Sequence, residues 1–590
     1  MCGIFGYIGK RNNATEIVLG GLKNLEYRGY DSWGIVVQED GFLYVEKNIG
    51  KISEVEQVLE SHTNVSLAMG HSRWATHGGV TQCNAHPHVS MDSKLALIHN
   101  GIIENYLELK NELISEGFRF LSDTDSEVIV NLLEFYSRSH DFQDALYFTL
   151  ERLQGRYAIC VIHQDMNMIV GARRGSPLIV GLGEDEIFLA SDVPAFLEYT
   201  RVVNYIDDDQ IVFIQNNTVQ YFNISTREEV KKRDVIITWD VEDAQKGEHE
   251  HFMIKEIMEQ KETIQRAINQ SSEEIQIVTD AIKNAYGTYL VGCGTAGKVG
   301  LAATYAFSSI AHRHVNFAFG SEFEHLEHFI RPGSLMIAIS QSGETADTLE
   351  AIHIAQQKGA KVLSILNVEG STMARESDHT LYIKTGPEKS VASTKATTAQ
   401  LALLILIAYS SAGKLDEGKR LLVETSGKIN DMLNPRYEDH IRAIAEKIHH
   451  VESLYVIGKA MNYAMALESA IKLQEVSYIH AEGFAAGELK HGPLALISEG
   501  TPLIVLVSND ETKQAVLSNA MEVKSRGGYI IGVSPDPHEI FDEWIKVPDC
   551  GPASAIANII PIQIMAYHLA LLKNNNPDKP RNLAKSVTVK

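Results

Sequence analysis

Two stretches of this chain repeat one another in order and spacing, which constrains the fold more than any other feature. YLVGCGTAGK and LYVIGKAMNY each read as a strand, a glycine turn and a helix start. Downstream, LMIAISQSGETADTLEAIHIAQQKGAKVLSILNV parallels PLIVLVSNDETKQAVLSNAMEVKSRGGYIIGVS. Gly292 to Ser340 is 48 positions, and Gly458 to Ser508 is 50. Apolar strands alternating with helices make parallel βαβ units. The C-terminal half is therefore expected to hold two similar α/β subdomains, each a parallel sheet between helices.

The chain before Trp239 has a different texture. Short β-rich runs such as SLAMGHSRWATHGG, KLALIHNGIIEN and RYAICVIHQ are interspersed with helical stretches at 15–25 and 126–136. That mixture predicts an α+β domain of layered antiparallel sheets. Asp240 to Glu250 is charged and nearly free of apolar residues, and reads as a linker. Helical periodicity resumes over 252–276. The expected division is 1–239, a linker at 240–250, subdomains at 251–430 and 431–578, and a tail at 579–590. A length of 590 residues fits about four structural units at ~150 residues each.

The charge balance of 53 Lys+Arg against 76 Asp+Glu leaves −23 at pH 7. So acidic a chain is a poor general partner for nucleic acid or anionic membrane. Any anion site must be a local construction. The five cysteines are scattered, with no CxxC pair and no HExxH, so neither a zinc module nor a disulfide scaffold is expected. MCGIFGYIGK has no basic segment followed by a long apolar one, so a secretory signal is not expected there. Leu401 to Tyr409 reads as the longest membrane-like run, far short of the ~20 residues a spanning helix needs. These features lead us to expect a soluble protein of a reducing compartment, the cytoplasm.

Gly292-Cys293-Gly294-Thr295-Ala296-Gly297-Lys298-Val299 fits both GxGxxG and GxxxxGK. The dinucleotide reading needs an acid about 20 residues on, but the first acid is Glu322, 30 positions beyond Gly292. The triphosphatase reading needs Ser or Thr where Val299 stands. What remains is a tight turn at a helix N-terminus, where free N–H groups favour an anion. Ser340-Gln341-Ser342-Gly343-Glu344-Thr345 adds hydroxyls and an amide around a second such turn, suiting a phosphate monoester. Val391-Ala392-Ser393-Thr394-Lys395 opens another helix. The second repeat has SNDET instead, so one phosphate site per chain is expected.

Cys2 follows the initiator Met. Removal of Met1 would place its thiol beside an α-amine of pKa ~7.7–8.0, able to act as a base. Arg73 can fork onto a carboxylate, with Trp74 as an aromatic lid. Asn100-Gly101, read as ending the strand LALIH, can aim an amide and a backbone N–H at one oxygen. Asp125 suits an ammonium group.

CGIFGYIG, LEYRGYDS, HSRWATHG, HNGIIEN and TDSE resemble the glutaminase domain of class II amidotransferases, the N-terminal-nucleophile type. GCGT, SQSGET, VASTKA, ALESAIKLQE, GELKHGP and RNLAKSVTV resemble the paired sugar-isomerase (SIS) modules of the glucosamine-6-phosphate synthase family. The likeness runs in order from Cys2 to the last residues.

That resemblance implies an aminotransferase that takes L-glutamine and fructose 6-phosphate, without metal or cofactor. Cys2 would be the nucleophile, Asn100 and Gly101 the oxyanion donors. Arg73, Trp74, Thr76, His77 and Asp125 would bind glutamine. Cys293, Gly294, Thr295, Ser340, Gln341, Ser342 and Thr345 would hold the sugar phosphate, with Val391 and Ser393 contacting the sugar and Lys472 at the same site supporting Glu475. Where the family has Ser after GCGT this chain has Ala296, a lost hydrogen bond costing roughly 1.5–3 kcal/mol if uncompensated. Glu468, Lys472 and Glu475 fall on one helical face, with Glu475 as general base. His491 would open the sugar ring of the neighbouring subunit, implying a homodimer through the SIS modules, and Lys585 would form a Schiff base. His71, His86, His88 and His99 read as structural, not metal-binding. Two other functions stay open from the residues alone. A sugar-phosphate sensor would have no use for Cys2, Glu475 or Lys585, and an ammonia-dependent isomerase would leave the N-terminal domain silent.

Overall fold

The computed structural model describes residues 2–62, 64–75, 77–215, 217–237 and 246–588. Met1, Thr76 and positions 240–245 of the expected linker lie outside the described residues. By its contacts the chain forms two units, Met1–Asp243 with Ala584–Lys590, and Ala244–Leu583.

The first unit is built on two antiparallel sheets, one of eight strands and one of seven. Gly3–Gly9 lies in the middle of the eight-stranded sheet, paired with Leu67–Arg73 and Glu186–Ala190. Leu95–Ile103 pairs with Gly155–His163 in the other. Both faces of these strands are apolar, so period-two alternation sorts side chains between two cores. Phe5 and Tyr7 pack with the helix Ala14–Asn24, while Ile4 and Ile8 join the core between the sheets. Leu95 and Leu97 pack with Glu127–Ser137 and Phe142–Arg152, and Ala96 and Ile98 face inward. The result is four layers, helix, sheet, sheet and helix, as the β-rich pattern predicts.

The second unit holds the repeat. One five-stranded parallel sheet runs in the spatial order Asn316–Phe319, Thr288–Gly292, Leu335–Ile339, Lys361–Leu366, His379–Tyr382. The other runs His480–Ala485, Ser453–Gly458, Pro502–Leu506, Tyr529–Ser534, Glu543–Lys546. In each, the first strand in sequence lies between the second and third. The chain therefore reverses direction beside the first strand, the place where such sheets bind ligands at their carboxyl ends. In the first repeat that point lies between Gly292 and Ser340.

The repeats share one apolar core. The helix Gly294–Ala311 of the first packs on Met461–Ser477 of the second. One apolar segment corrects the sequence reading. Gly551–Leu572 spans 22 residues, longer than Leu401 to Tyr409, and its most apolar 18-residue stretch has mean hydropathy 1.7. It is a core helix, with 89% of its most apolar stretch buried inside the protein. Asn558 and Gln563 interrupt the run to the eye, yet both bond internally: the Gln563 oxygen accepts from Gln260 at 2.7 Å and the Asn558 amide N–H donates to Asn462 at 3.0 Å.

Candidate active site

The register that pairs Gly3 with Ser72 carries Cys2 alongside Arg73 and Trp74. The Trp74 N–H donates to the Cys2 sulfur at 3.2 Å, and the thiol donates to the Trp74 carbonyl at 3.4 Å. The Asn100 side-chain amide donates to the Cys2 carbonyl at 2.9 Å. Burial pushes the Cys2 thiol above its ordinary pKa, opposed by the α-ammonium one residue before it. Cys2, Arg73, Trp74, His86, His99, Asn100, Gly101, Thr124, Ser126 and Thr588 line one pocket.

Asn100 and Gly101 do not end their strand, which continues to Ile103. Gly101 sits at φ +129° in mid-strand, where an added Cβ would lie 1.9 Å from the Arg156 carbonyl oxygen. Only glycine fits, and the local twist aims its peptide differently from those of its neighbours.

Arg73 is buried, and its guanidinium donates to the carbonyls of His77, Gly78 and Gly79. To grip a substrate carboxylate it must exchange some of those bonds. Asp125 is buried and accepts from the Ile103 N–H at 2.7 Å. His77 packs edge-on against Tyr106. Neither Asp125 nor His77 lines the pocket, although Thr124 and Ser126 beside Asp125 do.

His71 stacks on His86 with centroids 4.2 Å apart, and His86 meets His88 at 4.6 Å. Burial pushes all four histidines, His99 included, below their ordinary pKa, His71 to about 3. They are neutral rings inside the sheet packing. No cluster of three or more metal-ligating side chains occurs among the described residues.

In the second unit, Cys293 precedes the helix Gly294–Ala311 and Thr345 precedes Ala346–Gln357. The Ser340 hydroxyl accepts from the Gly343 N–H at 3.0 Å, and Ser342 from the Glu344 N–H at 3.2 Å. Gly343 has φ +68°, and a Cβ there would lie 2.1 Å from the Ser371 hydroxyl. Glu344 is held by the Thr372 N–H and hydroxyl at 2.8 and 2.7 Å. The Thr345 side chain does not cap the helix it opens, and a helix N-terminus is a setting that favours an anion.

In the second repeat Asp510 fills the matching role itself, accepting from the Thr512 N–H and hydroxyl at 2.8 and 2.6 Å. A carboxylate in that loop repels a phosphate.

At the VASTK cluster a carboxylate of the chain itself stands at the helix N-terminus. Glu388 accepts from the N–H groups of Thr394 and Ala396 at 3.0 and 3.1 Å and from the Ser393 hydroxyl at 3.0 Å. An internal carboxylate occupies that helix N-terminus. The Val391 N–H is taken by the Asp578 carbonyl at 3.1 Å.

The Thr295 hydroxyl donates to Glu468 at 2.9 Å, and Lys472 stands 3.4 Å from Glu468 and 2.6 Å from Glu475. The phosphate-loop helix is thereby wired to the face that carries Glu475. Glu468 and Lys472 are fully buried. Burial raises the Glu468 carboxyl. For Lys472 burial works downward, but the two carboxylates outweigh it and hold the ammonium above its ordinary value. Lys298, in the same glycine loop, lies over the Phe319 ring, and burial lowers its pKa.

His491 is exposed on the chain. Lys585 falls with the first unit, in Ala584–Lys590. Sequence reasoning missed Glu388, Glu468 and Thr588 as site residues. Only Glu468 carried a signal, its place on the face of Lys472 and Glu475.

The fold and these two sites define a glutamine amidotransferase joined to paired sugar-isomerase domains. A glutamine amidotransferase domain model matches residues 57–252, and the SIS domain model matches 282–410 and 447–573. The chain is 42% identical over 612 residues to glutamine–fructose-6-phosphate aminotransferase (isomerizing) of Caldanaerobacter subterraneus subsp. tengcongensis, covering 100% of each. It is 44% identical over 609 residues to the Pyrococcus horikoshii protein of that name, again covering 100% of each. The solved C-terminal domain of glucosamine-fructose-6-phosphate aminotransferase from Francisella tularensis superposes at TM-score 0.53 with 31% identity, covering 57% of this chain and 99% of that one. The chain belongs to the glutamine–fructose-6-phosphate aminotransferase family.

Proposed function

We propose that the chain converts L-glutamine and D-fructose 6-phosphate to L-glutamate and D-glucosamine 6-phosphate, the entry into amino-sugar synthesis. Cys2, with Met1 removed, attacks the glutamine side-chain amide while its own α-amine moves the proton. Asn100 and Gly101 hold the tetrahedral oxyanion. Arg73 takes the substrate carboxylate and Asp125 its ammonium, with Trp74, Thr76 and His77 closing over them. Ammonia leaves, water hydrolyses the thioester, and glutamate departs.

The ammonia passes within the protein to the sugar site. There Thr295, Ser340, Gln341, Ser342 and Thr345 hold the phosphate, and Cys293, Gly294, Val391 and Ser393 border the sugar. His491 opens the ring, from the partner subunit of a homodimer. Lys585 condenses with the C2 ketone, expelling water, and ammonia then displaces Lys585 to leave a 2-imine. Glu475, steadied by Lys472, takes a proton from C1 and returns one to C2, giving the amino-aldose. The scheme balances on the two substrates alone, with no cofactor, and suits a cytoplasmic enzyme. Residues 1–239 carry the first half-reaction, and 251–578 with the tail 579–590 the second.

The observation that carries this reading is the pairing of Cys2 with the Asn100 amide and Trp74 N–H in a chain alike over its whole length to aminotransferases of that name. Its test is a mass-spectrometric assay of Met1-processed protein with both substrates. Glutamate and hexosamine 6-phosphate should form about one to one, and glutamate without hexosamine would refute the coupled reaction.

A further inference from the structure

Behind the oxyanion residues lies a group the scheme above does not use. His71 is completely buried on the strand Leu67–Arg73. Its Nε2 is 3.0 Å from the Asn100 side-chain oxygen and 3.1 Å from the His99 carbonyl oxygen. Both are acceptors, so Nε2 carries the proton and donates to both. Nδ1 is then the bare nitrogen, and it is buried without a hydrogen-bond partner.

This tautomer has a consequence for Asn100. Its amide nitrogen donates to the Cys2 carbonyl at 2.9 Å, so its oxygen must face His71. Rotating the amide by 180° would set oxygen against the Cys2 carbonyl oxygen and –NH₂ against the His71 N–H. Both contacts would then be repulsive. The amide nitrogen has two hydrogens. With one on Cys2, the other remains for an oxyanion.

We propose that His71 is the positioning residue that fixes the Asn100 amide with its N–H toward the reacting carbonyl. The proposal rests on the glutaminase reading of Cys2 and Asn100. His71 touches no substrate and exchanges no proton. It acts as a neutral donor, and the stack on His86 at 4.2 Å keeps its ring from turning. An imidazole suits the place because its Nε2 reaches across from one sheet to a strand of the other.

The test uses His71→Leu, His71→Gln and His71→Asn in the full chain, following glutamine hydrolysis and ammonium-dependent synthesis. His71→Leu should lower kcat for hydrolysis about 10- to 100-fold, somewhat less than outright loss of an oxyanion donor, with KM within about twofold. His71→Gln sets an amide N–H near the Nε2 position and should recover most of that loss. His71→Asn is too short to reach Asn100 and should behave like His71→Leu, replacing it if that variant does not fold. Ammonium-dependent synthesis bypasses Cys2 and should be unaltered in all three.

An unchanged kcat in His71→Leu would overturn the proposal, as would a His71→Gln no better than His71→Asn. A parallel fall in both activities would mark a purely structural role and equally overturn it. A wild-type chain that synthesises from ammonium but never hydrolyses glutamine would instead refute the reading of Cys2, before any variant is compared.

Discussion

Lys472 places its ammonium 2.6 Å from the Glu475 carboxylate, one helical turn away on Met461–Ser477. The same ammonium is 3.4 Å from Glu468, and both Lys472 and Glu468 are fully buried. A cation between two acids in the protein interior is a strong orienting device, because removing it strands charge in low dielectric. Lys472→Met should therefore destabilise the second unit by about 3–5 kcal/mol and depress synthesis, with glutamine hydrolysis spared. Urea unfolding with both assays checks this, and an unaltered midpoint would show that the pair is not coupled as the geometry requires.

Cys2→Ala should abolish glutamine use and leave synthesis from ammonium intact. Since burial holds the Cys2 thiol above its ordinary value, alkylation by iodoacetamide should rise with pH along a curve displaced upward from that of a free cysteine. Peptide mass spectrometry follows the label directly. Half-maximal alkylation below the free-thiol value would contradict the buried environment.

The division into layered antiparallel sheets and twin parallel sheets was legible because periodicity is local. Each strand and helix declares itself within ten or so residues. The turns at Gly292 and Ser340 were legible for the same reason, since a glycine turn between strand and helix is contiguous in sequence. The neighbours of Cys2 were legible only through the family resemblance of HSRWATHG and HNGIIEN, not through periodicity. Trp74 reaches it through a strand register 72 positions away and Asn100 from the opposite sheet. Neither relation has a local pattern. Glu388 was invisible as a cap because a carboxylate six residues before the helix-capping position Thr394 reads like any solvated acid. Thr588 gave no sign that it lines the Cys2 pocket, because a polar tail carries no periodicity.

Asp578 ties three segments together. Its carboxylate accepts from the N–H groups of Phe252 and Met253 at 2.9 and 2.8 Å, and its carbonyl from Val391. Asp578→Ala leaves two helix-start N–H groups without that partner, a loss of roughly 2–4 kcal/mol. Asp578→Asn keeps one acceptor and should lose about half as much. The loop at Val391 should loosen in both, raising KM for fructose 6-phosphate more than it lowers kcat. Differential scanning calorimetry with steady-state kinetics distinguishes the two variants, and equal melting temperatures in wild type and Asp578→Ala would contradict the clamp.

Gly343→Ala tests the phosphate loop by strain. A φ of +68° disfavours alanine, and its Cβ would stand 2.1 Å from the Ser371 hydroxyl. We expect a KM for fructose 6-phosphate raised about tenfold or more, equivalent to at least ~1.4 kcal/mol of binding, with glutamine hydrolysis unchanged. Wild-type KM in this variant would place the phosphate elsewhere.

Acid should weaken the first unit before the second. Burial depresses the pKa values of His71, His86, His88 and His99 in the folded state, so the unfolded chain binds protons first. Stability is then fully present above the unfolded value of ~6.5 and is lost as pH falls toward the folded values. For His71 alone, with a folded value of about 3, moving from pH 7.5 to 5 costs about 2 kcal/mol. The other three shift in the same direction and add to it. Calorimetry across this range, with limited proteolysis to assign the transitions, should show the transition of Met1–Asp243 falling faster than that of Ala244–Leu583. Replacing His71 with Gln removes its titration and should flatten the pH dependence by that amount, whereas an unchanged slope would mean that His71 is not held neutral by the fold.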